Sequence, residues 1–210
     1  MHTVTFKNWS LSKLEDVFGL KQVWNLPLMQ DWEVSKCEIT AFEREYLLKL
    51  QNLLIRGGRS WNEAELQTKF ISPVIMLADL ENEQIGYFLE RNLAATIGDY
   101  SISGIVDGMI ATGFRVPKIP LFCLHEYKRS KHASSPDAQV LVAMLVAREQ
   151  NNNKPIYGLF VTGLIWNFVI LNGNEYCISR EYRTVDNELF SIFAMLKALK
   201  SIIQTTLLIQ

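Results

Sequence analysis

The stretch Pro120-Leu-Phe-Cys-Leu-His-Glu-Tyr-Lys-Arg-Ser-Lys131 constrains this chain more than any other. It reads as an apolar strand, and a strand's period of two puts Glu126 and Lys128 on one face. Upstream, Ser103-Gly-Ile-Val-Asp-Gly-Met-Ile110 sets a lone acid, Asp107, inside a second apolar run. Phe122 and Leu124 precede Glu126 at the same period, so that face is expected to enter the core. Charges there must be paired or bound to a cation, because an unpaired buried charge is too costly.

Each piece also has an ordinary reading. Asp107-Gly108 between apolar runs is a type I′ hairpin signal. Glu126 and Lys128 could instead form the solvent face of an edge strand. The three residues together are far more specific than any one of them. A hard divalent cation takes oxygen ligands at about 2.0–2.1 Å and needs only one or two carboxylates, leaving room for water and phosphate.

The remainder of the chain supplies a frame. At 210 residues and 49% hydrophobic content it can bury a core as a single domain. Residues 1–38 read as an irregular lead-in with Trp9, Trp24 and Trp32, packed on a main domain over 39–210. Thr40 to Ile55 has helical spacing through Phe42, Tyr46, Leu47, Leu50 and Leu54, stopping at Gly57-Gly58. Asn62 caps a second helix to about Leu80, with a kink or break expected at Pro73. Strands are expected near 85–95, 100–112 and 119–128, then a helix opened by Pro136 and Asp137. Two strands at 156–162 and 165–171, a shorter one at 174–180 and a final amphipathic helix from about Asp186 to Leu207 complete the order. An α/β fold follows, a central mixed β-sheet flanked by α-helices.

In this order and in its Asp107…Glu126-x-Lys128 pattern, the segment from about Asn62 to Asn174 resembles the PD-(D/E)XK, or restriction-endonuclease-like, nuclease superfamily. The resemblance implies a restriction-endonuclease-like core and Mg²⁺- or Mn²⁺-dependent hydrolysis of phosphodiester bonds, with DNA as substrate. Asp107 and Glu126 would bind the metal, and Lys128 would assist the nucleophile and transition state. The pattern departs from the superfamily's in two ways: His125 precedes the second acid, and no proline precedes Asp107.

Superfamily members often carry a glutamate on the helix before the first strand. At about 100° per residue, Glu63 falls near the centre of an apolar stripe through Leu66, Phe70, Val74 and Leu77, while Glu65 falls opposite. Glu63 is therefore expected to support the site or touch the metal. The plainer alternative is that both acids merely favour the helix N-terminus. Gln139, on the helix after Glu-x-Lys, matches a glutamine that reaches the catalytic face in many relatives; it is equally an ordinary first-turn residue. Lys128, Arg129, Lys131 and His132 form the densest basic cluster and are expected to contact a nucleic-acid backbone, although such runs are usually solvated loops.

Composition excludes several classes. Lysine and arginine total 21 against 22 acids, so any DNA contact must come from a local patch. Cys37, Cys123 and Cys177 have no paired or metal-binding spacing and read as reduced thiols of a cytoplasmic protein. The N-terminus has no signal-sequence pattern. The uncharged stretch 155–174 is broken by Gly158, Gly163 and Gly173 and suits a hairpin rather than a membrane span. His2, His125 and His132 lack ligand spacing, and Gly57-Gly58 lacks a phosphate-loop context. A homodimer or a subunit of a larger complex both fit. The rival readings are a non-catalytic nucleic-acid- or protein-binding subunit that keeps the fold, with its exposed-looking C-terminal helix available to partners, and a purely structural domain.

Overall fold

A computed structural model describes residues 1–35, 37–128 and 135–208. Nine strands form one mixed sheet in the order β1 (His2–Thr5), β4 (Tyr100–Thr112), β5 (Lys118–Lys128), β6 (Ile156–Thr162), β7 (Ile165–Asn172), β8 (Glu175–Ile178) and β2 (Lys21–Gln22). β3 (Ile85–Ile97) pairs with β4, and the short β9 (Tyr182–Arg183) pairs with β7. β5 and β6 run parallel, joined through α6 (Pro136–Gln150), whereas β3–β4–β5 and β6–β7–β8 are antiparallel meanders. Parallel neighbours need such a crossover, and a helix is its usual form.

Helices cover both faces. On one lie α2 (Pro27–Val34), α3 (Ala41–Gly57), the α4–α5 segment and α7 (Glu188–Leu208), around a core that includes Trp32, Phe70, Trp166, Phe168 and Phe193. On the other lie α1 (Leu11–Phe18) and α6, packed on Ile102, Met109, Phe160 and Val169. α6 is buried almost all round, from Ala138 to Arg148. The C-terminal helix is not an exposed surface either: Leu189, Ile192, Phe193, Leu196 and Leu199 are buried in the first core. Of the α3 residues with helical spacing, Leu47, Leu50 and Leu54 are buried, but Phe42 and Tyr46 face solvent and stack on each other.

The helix expected over 62–80 is broken. α4 (Glu63–Leu66) passes into a wide turn over Gln67–Ile71 before α5 (Ser72–Leu77) resumes. Ser72 N–H donates to Gln67 O, one residue further back than in an α-helix. Pro73 accounts for this, since it has no N–H and its ring crowds the carbonyl four residues earlier.

The N-terminal segment is woven into the sheet, with β1 pairing beside β4 and β2 beside β8. Phe6 lies against Gly104 so closely that an added Cβ would stand 2.3 Å from two of its ring carbons. Gly104→Ala should therefore displace Phe6 and lower stability by about 1–3 kcal/mol, the usual cost of overpacking. Chemical denaturation would measure it, and an unchanged midpoint would mean the N-terminus contributes little.

Candidate functional site

The Asp107-Gly108 turn reading is overturned. Both residues lie inside β4, where Gly108 pairs with Leu89 on one side and His125 on the other. A Cβ on Gly108 would crowd Tyr87 at 3.1 Å and His125 Nδ1 at 3.2 Å, so a larger residue would require these side chains to shift. The edge-strand reading also fails, since β5 lies inside the sheet, beside β4 as far as His125 and beside β6 through Lys128, and Glu126 is only 5% exposed.

One step of the reasoning about that face needs correcting. Partner positions slip by one between Ile110–Cys123 and Ala111–Leu121. That irregularity breaks the period of two, and Phe122 joins the core on the face opposite Glu126. Asn151, at the end of α6, stitches the irregular stretch. Its side chain accepts from Leu121 N–H at 3.0 Å and donates to Leu121 O at 2.6 Å.

The site lies where β4 and β5 part. Their ladder runs to Gly108–His125. Beyond it β5 continues beside β6, while the far edge of β4 is taken over by β1 from Tyr100 to Ser103. In that gap Tyr127 N–H loses its strand partner and donates to Asp107 Oδ2 at 2.7 Å. The same carboxylate is thereby fixed beside Glu126 and Lys128.

Lys128 stands at the centre. Its Nζ donates to Glu126 Oε1 at 2.8 Å, to Tyr127 O at 2.8 Å and to Glu63 Oε1 at 3.3 Å, and lies 3.7 Å from Asp107 Oδ2. Glu63 reaches in from the first turn of α4, whereas Glu65 turns away to close a capping box with Asn62 and to pair with Lys69. Glu63 reaches Lys128 as helical phase suggests, but the burial division expected from that phase is not observed. The Glu63 side chain is 46% exposed against 39% for Glu65, because α4 is a single turn at the surface. Gln139 is buried in the first turn of α6, the helix that covers this side of the sheet. Arg129, Lys131 and His132 lie outside the described residues.

Three carboxylates around one ammonium leave excess negative charge, and the titration behaviour reflects it. Burial, and then the Asp107 charge, push Glu126 up to about 7 against the pull of Lys128. Burial also raises Asp107, opposed by the Tyr127 N–H and Lys128 and reinforced by Glu63 and Glu90. For Lys128, burial works against the ammonium, but the Glu126 hydrogen bond and the surrounding acids win and raise it. Displaced values in a group of acids and a base are a recurring feature of functional sites, and structural ion-pair networks produce them as well.

The sequence pattern missed several neighbours. Glu90 lies across β3 from Asp107, between the Leu89–Gly108 and Arg91–Val106 pairs, with φ of 50°. A left-handed glutamate within a strand is uncommon and carries no sequence signal. On the reverse face His125 Nδ1 lies 2.8 Å from Tyr127 Oη, and Tyr127 Oη lies 3.1 Å from Tyr87 Oη. His125 is fully buried, and burial holds it down at about 3, so it stays neutral. This row ties β3 to β5 beneath the acids.

The oxygens around Lys128 are of the type a hard cation takes: the buried carboxylate of Glu126, the part-buried one of Asp107, one main-chain carbonyl and a half-exposed glutamate. Among the described residues, however, no three histidine, cysteine or acidic side chains already converge as a ligand set. No helix among them is long and apolar enough to cross a membrane. No protein-family model matches the chain, and no curated protein matches it.

Proposed function

We propose that this protein is a metal-dependent phosphodiester hydrolase, a DNA endo- or exonuclease with a restriction-endonuclease-like core. The observation that carries the proposal is the meeting of Asp107, Glu126, Lys128 and Glu63 at the point where β4 and β5 separate. The carboxylates of Asp107 and Glu126 and the main-chain carbonyl of Tyr127 are the groups that would hold Mg²⁺ or Mn²⁺. Such a cation, when bound, polarises a phosphoryl oxygen and makes a coordinated water more acidic.

The chain's own groups do the rest. Tyr127 N–H orients Asp107, so its free oxygen has a fixed direction. Lys128 is held charged and can pass its Nζ–H donors from the carboxylates to a phosphate oxygen, countering the charge that builds in the transition state. Glu63 offers Lys128 a place to swing and keeps it near the sheet end. Glu126, with its value near neutrality, gives up its proton readily when positive charge arrives.

A second reading has its own support. The acids surround Lys128 without forming a ready trio of ligands, which suits a subunit that keeps the fold and binds nucleic acid or protein without cutting. Both readings meet one experiment: supercoiled, linear and single-stranded DNA incubated with Mg²⁺ or Mn²⁺, comparing wild type with Asp107→Ala and Glu126→Ala. The nuclease reading expects metal-dependent cutting by wild type that both variants lose. Wild-type protein that neither cuts nor binds metal in a parallel titration rules it out and leaves the non-catalytic subunit.

A further inference from the structure

A cavity of about 400 Å³ opens on the same side of the sheet as the acids, one strand away. Phe160 and Thr162 of β6 line it, and they pair in register with Glu126 and Lys128. Neighbouring strands are only about 4.8 Å apart, so whatever fills the cavity adjoins whatever lies over Lys128. The outer wall comes from the N-terminal segment, through Leu11 and Trp24. Trp24 is 83% exposed, an unusual placement for the largest apolar side chain.

Two features indicate what the cavity takes. Thr162 is only 6% exposed, yet its hydroxyl has no hydrogen-bond partner among the described residues. Buried hydroxyls are normally satisfied, and Thr162 is one of the residues that line the cavity, so a small shift of its side chain would turn the hydroxyl to a ligand there. Asn167, also lining it, is buried and spends Nδ2 on Ser179 O at 3.3 Å. The cavity thus combines a flat aromatic rim, an apolar floor at Phe160 and a hydroxyl and amide for a polar edge. A phosphate does not suit it, because Asp137 and Glu181 contribute negative charge to the lining. A neutral, planar, hydrogen-bonding ring does. The volume falls at the small end of ligand sites, which run from roughly 300 to 1,000 Å³.

We infer that this cavity holds one unpaired nucleobase of the substrate, stacked on Trp24, next to the phosphate at Lys128. The inference rests on the nuclease reading for its substrate class and narrows it to single-stranded DNA, ends or flaps, because a base within a duplex cannot reach a side pocket without leaving the stack. It also gives the N-terminal segment a task, that of presenting the stacking ring.

The test is binding without cleavage. Metal-free protein is titrated in EDTA with a short single-stranded oligodeoxynucleotide and with the blunt duplex of the same sequence, following tryptophan fluorescence. Wild type should prefer the single strand, and its emission should be quenched. Trp24→Ala should weaken single-strand binding about ten-fold and remove much of the quench, an effect of the size expected for one stacked base. Thr162→Val should also weaken it while leaving the fold at least as stable, since it removes an unsatisfied hydroxyl. Equal single-strand affinity in wild type and both variants, or no binding by wild type, overturns the inference. The nuclease reading fails separately: metal-dependent cutting of duplex, lost in Asp107→Ala but intact in Trp24→Ala, would uphold it while the pocket assignment falls.

Discussion

On the proposed nuclease reading, Glu126→Gln should abolish cleavage and at the same time make the metal-free protein more stable at pH 8. The two effects share one cause. Glu126 is buried beside Asp107, and its folded value is raised to about 7 from an ordinary 4.5. For an acid raised on folding, the native state binds more protons than the unfolded state between those two values. Its favourable contribution is therefore complete below about pH 4.5, declines as pH rises and is gone above about 7. A rise of this size corresponds to a penalty on the order of 3 kcal/mol for the charged form at pH 8. Glutamine carries no charge and escapes it. Urea unfolding at pH 5 and pH 8 should show a gain for the variant at pH 8 that shrinks at pH 5. Added Mg²⁺ should stabilise wild type and not the variant, while cleavage falls about 10³-fold, as for loss of a main electrostatic group in a reaction site. A variant less stable than wild type at pH 8 would mean that Glu126 serves chiefly as a partner for Lys128.

Much of the fold was legible because most elements obey local rules. Apolar runs point to the strands at 100–112 and 156–162, helical spacing and the Gly57-Gly58 stop to a helix from Thr40 to Ile55, and Pro136-Asp137 to the start of another. The structure has helices at Ala41–Gly57 and Pro136–Gln150. What escaped depends on distant partners. Phe42 and Tyr46 fit a helical stripe, yet α3 is covered along a narrower strip than its sequence offers. Phe122 was assigned to the wrong face because the irregularity at Ala111–Leu121 arises from strand pairing with β4, which a period-two count cannot detect. The pairing of β1 with the start of β4 depends on Phe6 meeting Gly104, nearly a hundred residues away.

The candidate site divides along the same line. Asp107, Glu126 and Lys128 stand out as charges within apolar strands, and helical phase singled out Glu63 over Glu65; all four meet. Glu90 gave no sign, since its place opposite Asp107 follows from strand register and its left-handed backbone from nothing in its side chain. Trp24 is expected to pack on the main domain with Trp9 and Trp32, which are buried, yet it is 83% exposed. Thr162 carries no sequence signal, and the fold sets both in the lining of one cavity beside the acids.

Lys128→Met should be the most damaging single change. Methionine keeps most of the unbranched apolar stem but leaves buried Glu126 and part-buried Asp107 without the ammonium that stands 2.8 Å from one and 3.7 Å from the other. Removing one partner of a buried ion pair typically costs about 3–5 kcal/mol, mostly because the remaining charge is uncompensated. The loss should be greatest at pH 8, where both acids are ionised, and smaller at pH 5, where Glu126 is protonated in the folded state. This pH dependence separates a charge effect from a packing effect, because a cavity or clash would cost the same at both pH values. The double variant Lys128→Met/Glu126→Gln supplies the stricter check. If the two groups act on each other as the geometry indicates, the second substitution should restore stability lost to the first, with a coupling of about 1–3 kcal/mol. Cleavage would stay lost in the double variant, since neither the ammonium nor the carboxylate returns. Additive stabilities in that cycle would place Lys128 outside any working arrangement with Glu126, and the candidate site would lose its centre.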